Sequence, residues 1–187
     1  MLLGCKTAEN GYSEMPQNRY DLAKVYNEYL NSISPLDTAI VLKLNCSGMC
    51  NRGLENSIFL FSKRNKTTEV VRISNHRKYK NILLTDSGIA WASIIANFND
   101  FKSDNIKTYE DVILDNRILR KQLHGSDGNT QSLALSFGQS KHNIYLGSLV
   151  IYSNEENKNV ILINQLTEIA NNLNWEPSEK IKYKMER

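Results

Sequence analysis

The chain lacks the motifs that would place it in a common enzyme class. It has no Walker-type phosphate loop, no glycine fingerprint for a dinucleotide and no HExxH zinc motif, so nucleotide hydrolysis, redox cofactors and zinc hydrolysis have no anchor in the sequence. His76, His124 and His142 stand alone. A nucleophile pair made from a cysteine and one of these histidines would lack an orienting third group. We therefore expect a protein without catalytic residues, cofactor or bound metal.

Cysteine is scarce, since the 187 residues include only Cys5, Cys46 and Cys50. The C-S-G-M-C spacing is not followed by a second cysteine or histidine pair, which a structural zinc site would need. Cys46 and Cys50 could form a short-range disulfide, or they could be two small residues in a tight loop. Cysteine usage therefore does not decide the redox compartment.

The chain also lacks a strong charge of one sign and a long apolar run. Its 23 basic and 20 acidic residues give a formal net charge of +3. They are scattered, and no predicted face carries a continuous basic stripe. Nucleic-acid-binding proteins usually carry a clustered basic footprint, so we expect no nucleic-acid partner. No segment is long and apolar enough to predict a transmembrane helix.

The first residues include a short pattern with two interpretations. Leu2, Leu3, Gly4 and Cys5 have the residue types of a bacterial lipobox. A lipoprotein signal needs an apolar stretch of roughly 7 to 15 residues before its cleavage site, whereas four residues precede Cys5. Either the natural start lies upstream, or the LLGC pattern is a coincidence. A lipidated Cys5 would anchor the protein to a membrane, and an unmodified one would be compatible with a cytoplasmic protein.

Helices are predicted from apolar residues that repeat at helical spacing. Four stretches show this repeat: 18–33, 86–98, 109–123, either continuous or broken around Asp115, and 156–173. Pro35 is expected to end the first helix, because proline has no backbone N–H to continue the hydrogen bonding. Asp86 or Ser87 is expected to cap the second helix.

Strands are predicted from runs of branched or alternating apolar residues. They occupy 38–44, 57–62, 69–73, 130–137 and 144–153. The first is apolar throughout and should be buried on both faces. The last two are expected to form an antiparallel hairpin, and Gly147 inside the last strand indicates a bulge or a close backbone approach.

The order of these elements predicts an α+β domain with a central antiparallel sheet of about five strands flanked by helices. With 41% hydrophobic residues, a chain of this length can bury one good core. We expect a flexible segment over 1–17, a single domain over 18–174 and a polar tail over 175–187.

Two stretches of this predicted sheet resemble the GAF class of sensor domains, which are similar to PAS domains. They are the strand and turn IVLKLNCSG at 40–48 and the late strand IYLGSLVIYSNEE at 144–156, which leads into a helix. The resemblance covers about 18–174. It implies a pocket on one side of the sheet and both terminal helices on the other. The NKFDE-type signature of cyclic-nucleotide-binding members is absent, so the resemblance does not imply cyclic GMP.

A GAF-like domain implies a non-catalytic sensory or ligand-binding module. Six residues are then candidates for contact with an unknown small molecule, the first four at the pocket mouth and the last two above the sheet: Lys43, Asn45, Ser47, Gly48, Tyr79 and Trp91. Each also has a structural alternative. Lys43 can be a strand residue that reaches solvent, Trp91 can be helix core, and the Asn45 turn needs no ligand.

The alternative function is that of a structural or interaction protein, such as a phage or membrane-associated assembly subunit that has a GAF-like fold without a ligand. It predicts a filled sheet core and an exposed apolar stripe that pairs with a second copy or another protein. The N-terminal helix, with Tyr20, Tyr26 and Tyr29, is the predicted interface of a homo-oligomer.

Overall fold

A six-stranded antiparallel sheet is the centre of the molecule, and a separate two-stranded hairpin lies outside it. The computed structural model describes residues 21–32, 37–46, 56–75, 77–101, 106–123, 129–137, 140–147, 151 and 153–178. The elements are α1 (Leu22–Ser32), β1 (Thr38–Cys46), β2 (Ser57–Arg64), β3 (Thr67–Ser74), β4 (Ile82–Leu84), α2 (Trp91–Ala96), β5 (Tyr109–Leu114), β6 (Arg117–Gln122), β7 (Asn129–Phe137), β8 (Ser140–Leu146) and α3 (Lys158–Asn172). The predicted α+β class and antiparallel sheet are confirmed, with six strands where about five were expected.

The sheet is ordered β4-β3-β2-β1-β7-β8, so β1 lies inside it between β2 and β7. Consecutive side chains of a strand point to opposite faces of the sheet. In β1, Ile40, Val41 and Leu42 are all fully buried, which requires both faces to be covered. The prediction of a strand buried on both faces is confirmed.

Helices cover the two faces of the sheet separately. On the face we call the α3 face, Ile40 and Leu42 share one apolar core with α2 and α3. On the opposite α1 face, Val41 joins a smaller core with Leu22 of α1. The first and last helices therefore lie on opposite faces, whereas the GAF resemblance implies the same face for both.

No helix of the described residues is long and apolar enough to cross a membrane.

The first and last helices begin at polar caps. The carboxylate of Asp21 accepts hydrogen bonds from the amides of Ala23 and Lys24 at 3.0 and 3.2 Å. The side chain of Asn157 accepts from the amide of Asn159 at 2.9 Å. Such caps satisfy amides that have no partner within the helix. The last helix, predicted over 156–173, is confirmed within two residues at each end.

The second predicted helix is shorter than expected, and its predicted cap is wrong. Helix α2 begins at Trp91, and Ala90 before it provides no side-chain cap. Asp86 and Ser87 accept instead from the amides of Gly88 and Ile89. These bonds form a turn that precedes the helix, in which Gly88 has a φ of +67°. A 3₁₀ turn over Phe98–Asp100 follows α2.

The predicted helix over 109–123 is wrong, because this stretch forms the hairpin of β5 and β6. Its two turn residues, Asp115 and Asn116, have φ values of +50° and +59°. Two consecutive positive φ angles are typical of the type I′ turn, which matches the twist of paired strands. The branched residues Val112, Ile113 and Ile118 also favour a strand over a helix.

The last strand of the sheet begins and ends earlier in the chain than predicted. Strand β7 agrees with the prediction, but β8 runs over Ser140–Leu146 and not over 144–153. Phe137 pairs with Ser140, so the connection is shorter than the predicted polar tip. Gly147 follows the strand, and its carbonyl accepts from the amide of Ile151 at 3.1 Å. The predicted position of Gly147 inside the strand is therefore wrong.

Candidate interaction surface

The predicted ligand-binding residues are divided between the two faces of the sheet. Lys43 and Asn45 lie near the end of β1 and share the α1 face by strand alternation. The ammonium of Lys43 is 5.5 Å from the ring centre of Tyr26 in α1. Tyr79 contacts side chains on the α3 face, where Trp91 is buried. Ser47 and Gly48 lie outside the described residues.

Tyr79 and Trp91 are themselves separated along the sheet. Nε1 of Trp91 donates to Oγ1 of Thr68 at 2.9 Å, while Tyr79 lies against Arg72. Thr68 and Arg72 are four residues apart in β3, or about 13 Å at the usual rise of a strand. The described candidates therefore do not converge on one pocket, and their role in ligand binding stays a prediction.

Cys5, Cys50 and the side chain of Cys46 lie outside the described residues.

A buried cation lies on the α3 face beside Tyr79. Arg72 is only 6% exposed, and its guanidinium carbon is 4.4 Å from the ring centre of Tyr79 and 5.6 Å from those of Phe59 and Trp175. Its Nε also donates to Oγ of Ser57 at 3.3 Å. Burial lowers the pKa of Arg72 because it penalises the charged form. Aromatic faces attract such a cation, so the cluster suits a structural role.

The segment after α3 closes this cluster. The indole Nε1 of Trp175 donates to the carbonyl of Ala170 at 2.9 Å. The amide of Lys80 donates to the carbonyl of Glu176 at 2.9 Å, and their side chains form an ion pair at 2.6 Å. The hydrogen bond that the Lys80 side chain donates to the Glu176 carboxylate lowers the pKa of this carboxyl. Residues 175–178, predicted as the start of a polar tail, thus hold the loop before β4.

The apolar interior between the sheet and α3 is shielded from solvent. On the sheet side, Ile40, Leu42 and Phe59 are fully buried, and Ile163 and Leu166 of α3 are fully buried in the same core. Among the described residues, no group of three or more histidine, cysteine, aspartate or glutamate side chains could hold a metal ion.

The β5–β6 hairpin is anchored firmly at its root. Leu123, next to the end of β6, is buried in the main core, and its amide donates to the carbonyl of Thr108 at 2.9 Å. The side chain of Asn154 accepts from the amide of Lys107 at 2.8 Å and donates to its carbonyl at 2.9 Å. These contacts fix where the hairpin leaves the body.

Beyond its root the hairpin is exposed and unusually apolar. The structure describes nine exposed large apolar side chains, and five of them are on this hairpin: Tyr109, Ile113, Leu114, Ile118 and Leu119. Ile113 and Ile118 are the most exposed of the nine, at 75% and 74%, and they pair directly across the two strands. Single exposed apolar residues are ordinary, whereas adjacent ones such as Ile113 and Ile118 make the hairpin a candidate interaction surface.

The two strands of the hairpin differ in charge. Strand β5 carries Glu110 and Asp111, whereas β6 carries Arg117, Arg120 and Lys121. Asp111 and Arg120 pair across the strands with 3.7 Å between Oδ1 and Nε. The sequence prediction missed this surface because it assigned the stretch to a helix. Short runs of branched and apolar residues on both sides of the Asp-Asn turn are the signal that could have found it.

Comparison with known proteins gives no family for the chain. No family model matches it, and no curated protein or solved structure does.

Proposed function

We propose that this chain is a non-catalytic protein-interaction module that binds its partner through the β5–β6 hairpin. The observation that carries the proposal is the cross-strand pair Ile113 and Ile118, which is the most exposed apolar pair on a projecting element. Covering apolar surface stabilises a complex by about 25 cal/mol per Å² before the costs of association. An isolated two-stranded hairpin is only marginally stable in water, so a partner would also stabilise the hairpin itself.

The packing of the sheet supports an interaction module over a small-molecule sensor. A sensor needs an apolar pocket with converging polar groups, but the apolar side chains of α3 cover the face beneath β1. The four described candidates for ligand contact lie on two faces and at different points along the sheet. The opposite placement of α1 and α3 also differs from the GAF arrangement. The GAF-like sensory function stays a prediction.

The hairpin also suits an interface better than the N-terminal helix. The apolar stripe of α1 already packs on the sheet through Leu22, Val25, Tyr26, Tyr29 and Leu30. Burial raises the pKa of Tyr26 to about 12, in accord with a side chain that packs partly against the sheet. Oligomerisation through α1 would need a different surface of this helix. Membrane tethering through Cys5 stays a separate prediction.

Photo-crosslinking tests the proposed surface. The photoreactive residue p-benzoylphenylalanine is placed at position 118 and, as a control, at position 161, where Ile161 is an exposed apolar residue of α3. Purified protein and an extract of the source cells are irradiated. We expect protein adducts from position 118 in at least one sample, well above those from position 161. Equal yields from both positions in both samples would overturn the proposal.

A ligand panel tests the sensory alternative on the same protein. Thermal unfolding is measured with nucleotides and common metabolites, since a ligand that binds only the folded state raises its stability. The proposal predicts no shift of the unfolding midpoint for any compound. A concentration-dependent rise that is lost in K43A or W91F, but kept in the exposed-residue control I161T, would favour the sensor.

A further inference from the structure

We infer that the partner of the β5–β6 hairpin is a second copy of this chain, with the two hairpins packed face to face. This inference rests on the proposed function and adds the identity of the partner. The pattern of charge on the two strands carries it, because that pattern is complementary to itself under one two-fold rotation.

The register divides the hairpin into two faces. The first face carries the pairs Tyr109–Gln122, Asp111–Arg120 and Ile113–Ile118, and the second carries Glu110–Lys121, Val112–Leu119 and Leu114–Arg117. Val112 is the only residue of either strand that is partly buried, so the second face is nearer the body. The first face contains the two most exposed isoleucines and has all six of its residues exposed, so it is the face that we assign to the partner.

A two-fold axis parallel to the strands makes this first face complementary to itself. Such a rotation keeps both tips at the same end and lays β5 of one copy over β6 of the other. Asp111 of each copy then meets Arg120 of the other, and Ile113 of each copy meets Ile118 of the other. Each charge therefore meets an opposite charge and each isoleucine meets an isoleucine, so the face is self-complementary, as an isologous interface requires.

The other face-to-face arrangement is disfavoured by the same charges. A two-fold axis across the strands would lay β5 of one copy over β5 of the other. Asp111 would then face Asp111 and Arg120 would face Arg120, and like charges brought together destabilise a complex. The charge pattern thus selects both the second copy and its orientation.

The contact is small, so the expected dimer is weak. Six residues per strand give a face about 20 Å long at about 3.4 Å per residue. Such a face is well below the roughly 800 Å² per partner of a standard interface. We expect a reversible dimer that is populated at high protein concentration and weakened by salt, because its ion pairs are exposed.

Sedimentation velocity of the purified full chain tests the contact. The I113T/I118T variant removes the apolar tip but keeps branched side chains that suit a strand. The control, L83T/I161T, removes two exposed apolar residues elsewhere. We expect concentration-dependent dimerisation of wild type and control, and a monomeric tip variant. A tip variant that dimerises like wild type would overturn the inference.

Charge reversal tests the contact between copies without relying on loss alone, and the weakening of each single variant relative to wild type tests the orientation. D111K gives a face with two positive charges, and R120E gives one with two negative charges. Each variant alone should dimerise about tenfold more weakly at low salt, in keeping with the modest energy of exposed pairs. An equimolar mixture should regain dimers of the mixed kind. The pair within each hairpin stays broken in that mixture, so only contact between copies explains the rescue; its absence would contradict the inference.

The two proposals can fail separately. Wild type could stay monomeric at the highest concentration while position 118 still gives adducts to another protein in the extract. That result would overturn the inference that the partner is a second copy, but the proposal of a docking hairpin would stand. If position 118 gives no excess of adducts over position 161 in either sample, both proposals fall.

Discussion

Single residues explain how this sheet tolerates polar groups in its interior. Arg72 places a cation among Phe59, Tyr79 and Trp175, and the indole of Trp91 finds its acceptor on Thr68. Buried polar groups destabilise a protein unless they are paired. These contacts therefore explain why an arginine can occupy a strand position that faces the core.

Replacement of Arg72 should strongly destabilise the fold. R72A removes a cation that contacts three rings and leaves a gap on the α3 face, so we expect the free energy of unfolding to fall by about 3 kcal/mol. Urea unfolding measures the change. The matched control is R77A, since Arg77 is exposed in the adjoining loop and should alter stability by no more than about 0.5 kcal/mol. Equal effects would refute the structural role of the cluster.

Tyr26 should make the protein less stable in strong alkali. Burial raises its pKa from 10.0 to about 12, so the folded state keeps a proton that the unfolded chain loses first. Stability is then full below pH 10 and declines between pH 10 and 12. Denaturant unfolding across this range should show a smaller decline for Y26F than for wild type. Y145F, at an exposed tyrosine, should decline as wild type does; a Y26F decline equal to that of wild type would contradict the burial argument.

Among the elements, the β5–β6 hairpin stands apart from the body. Its root is fixed by Leu123 and Asn154, whereas its tip makes a turn with two positive φ angles. Changes at the tip should therefore affect the hairpin and leave the central sheet folded.

Proline at the turn tests this independence. N116P forces φ to about −65° where the chain has +59°, so the paired strands should separate. We expect hydrogen-exchange protection of the β5 and β6 amides to be lost while β1 and β2 stay protected. N116G, which permits positive φ, should keep the hairpin. A loss of protection throughout the sheet in N116P would show that the hairpin is part of the global fold.

The sequence predicted the elements whose burial dominates and missed those set by turns. The apolar stripe from Val160 to Ala170 identified α3 because it packs on the sheet. The hairpin was missed because Val112, Ile113, Leu119 and Leu123 also fit a helical repeat. Arg72 gave no signal, since its ring partners come from three separate segments of the chain. Loop candidates such as Ser47 lie outside the described residues.

At the scale of the whole molecule, the described residues form a covered sheet and an exposed hairpin arm. Both faces of the central sheet carry helices, which leaves the described hairpin as the main concentration of exposed apolar side chains. The body and the arm are thus distinct parts of the described structure. We propose that this division between body and arm is the basis of the function.

The most direct test of the docking hairpin is the response of isoleucine methyl groups to association. Methyl-labelled protein is followed by NMR as its concentration rises. The account predicts saturable shift changes at Ile113 and Ile118, with Ile161 of α3 and the buried Ile40 unchanged. Shift changes confined to Ile161 or to the surface of α1, with the two hairpin isoleucines constant, would contradict it.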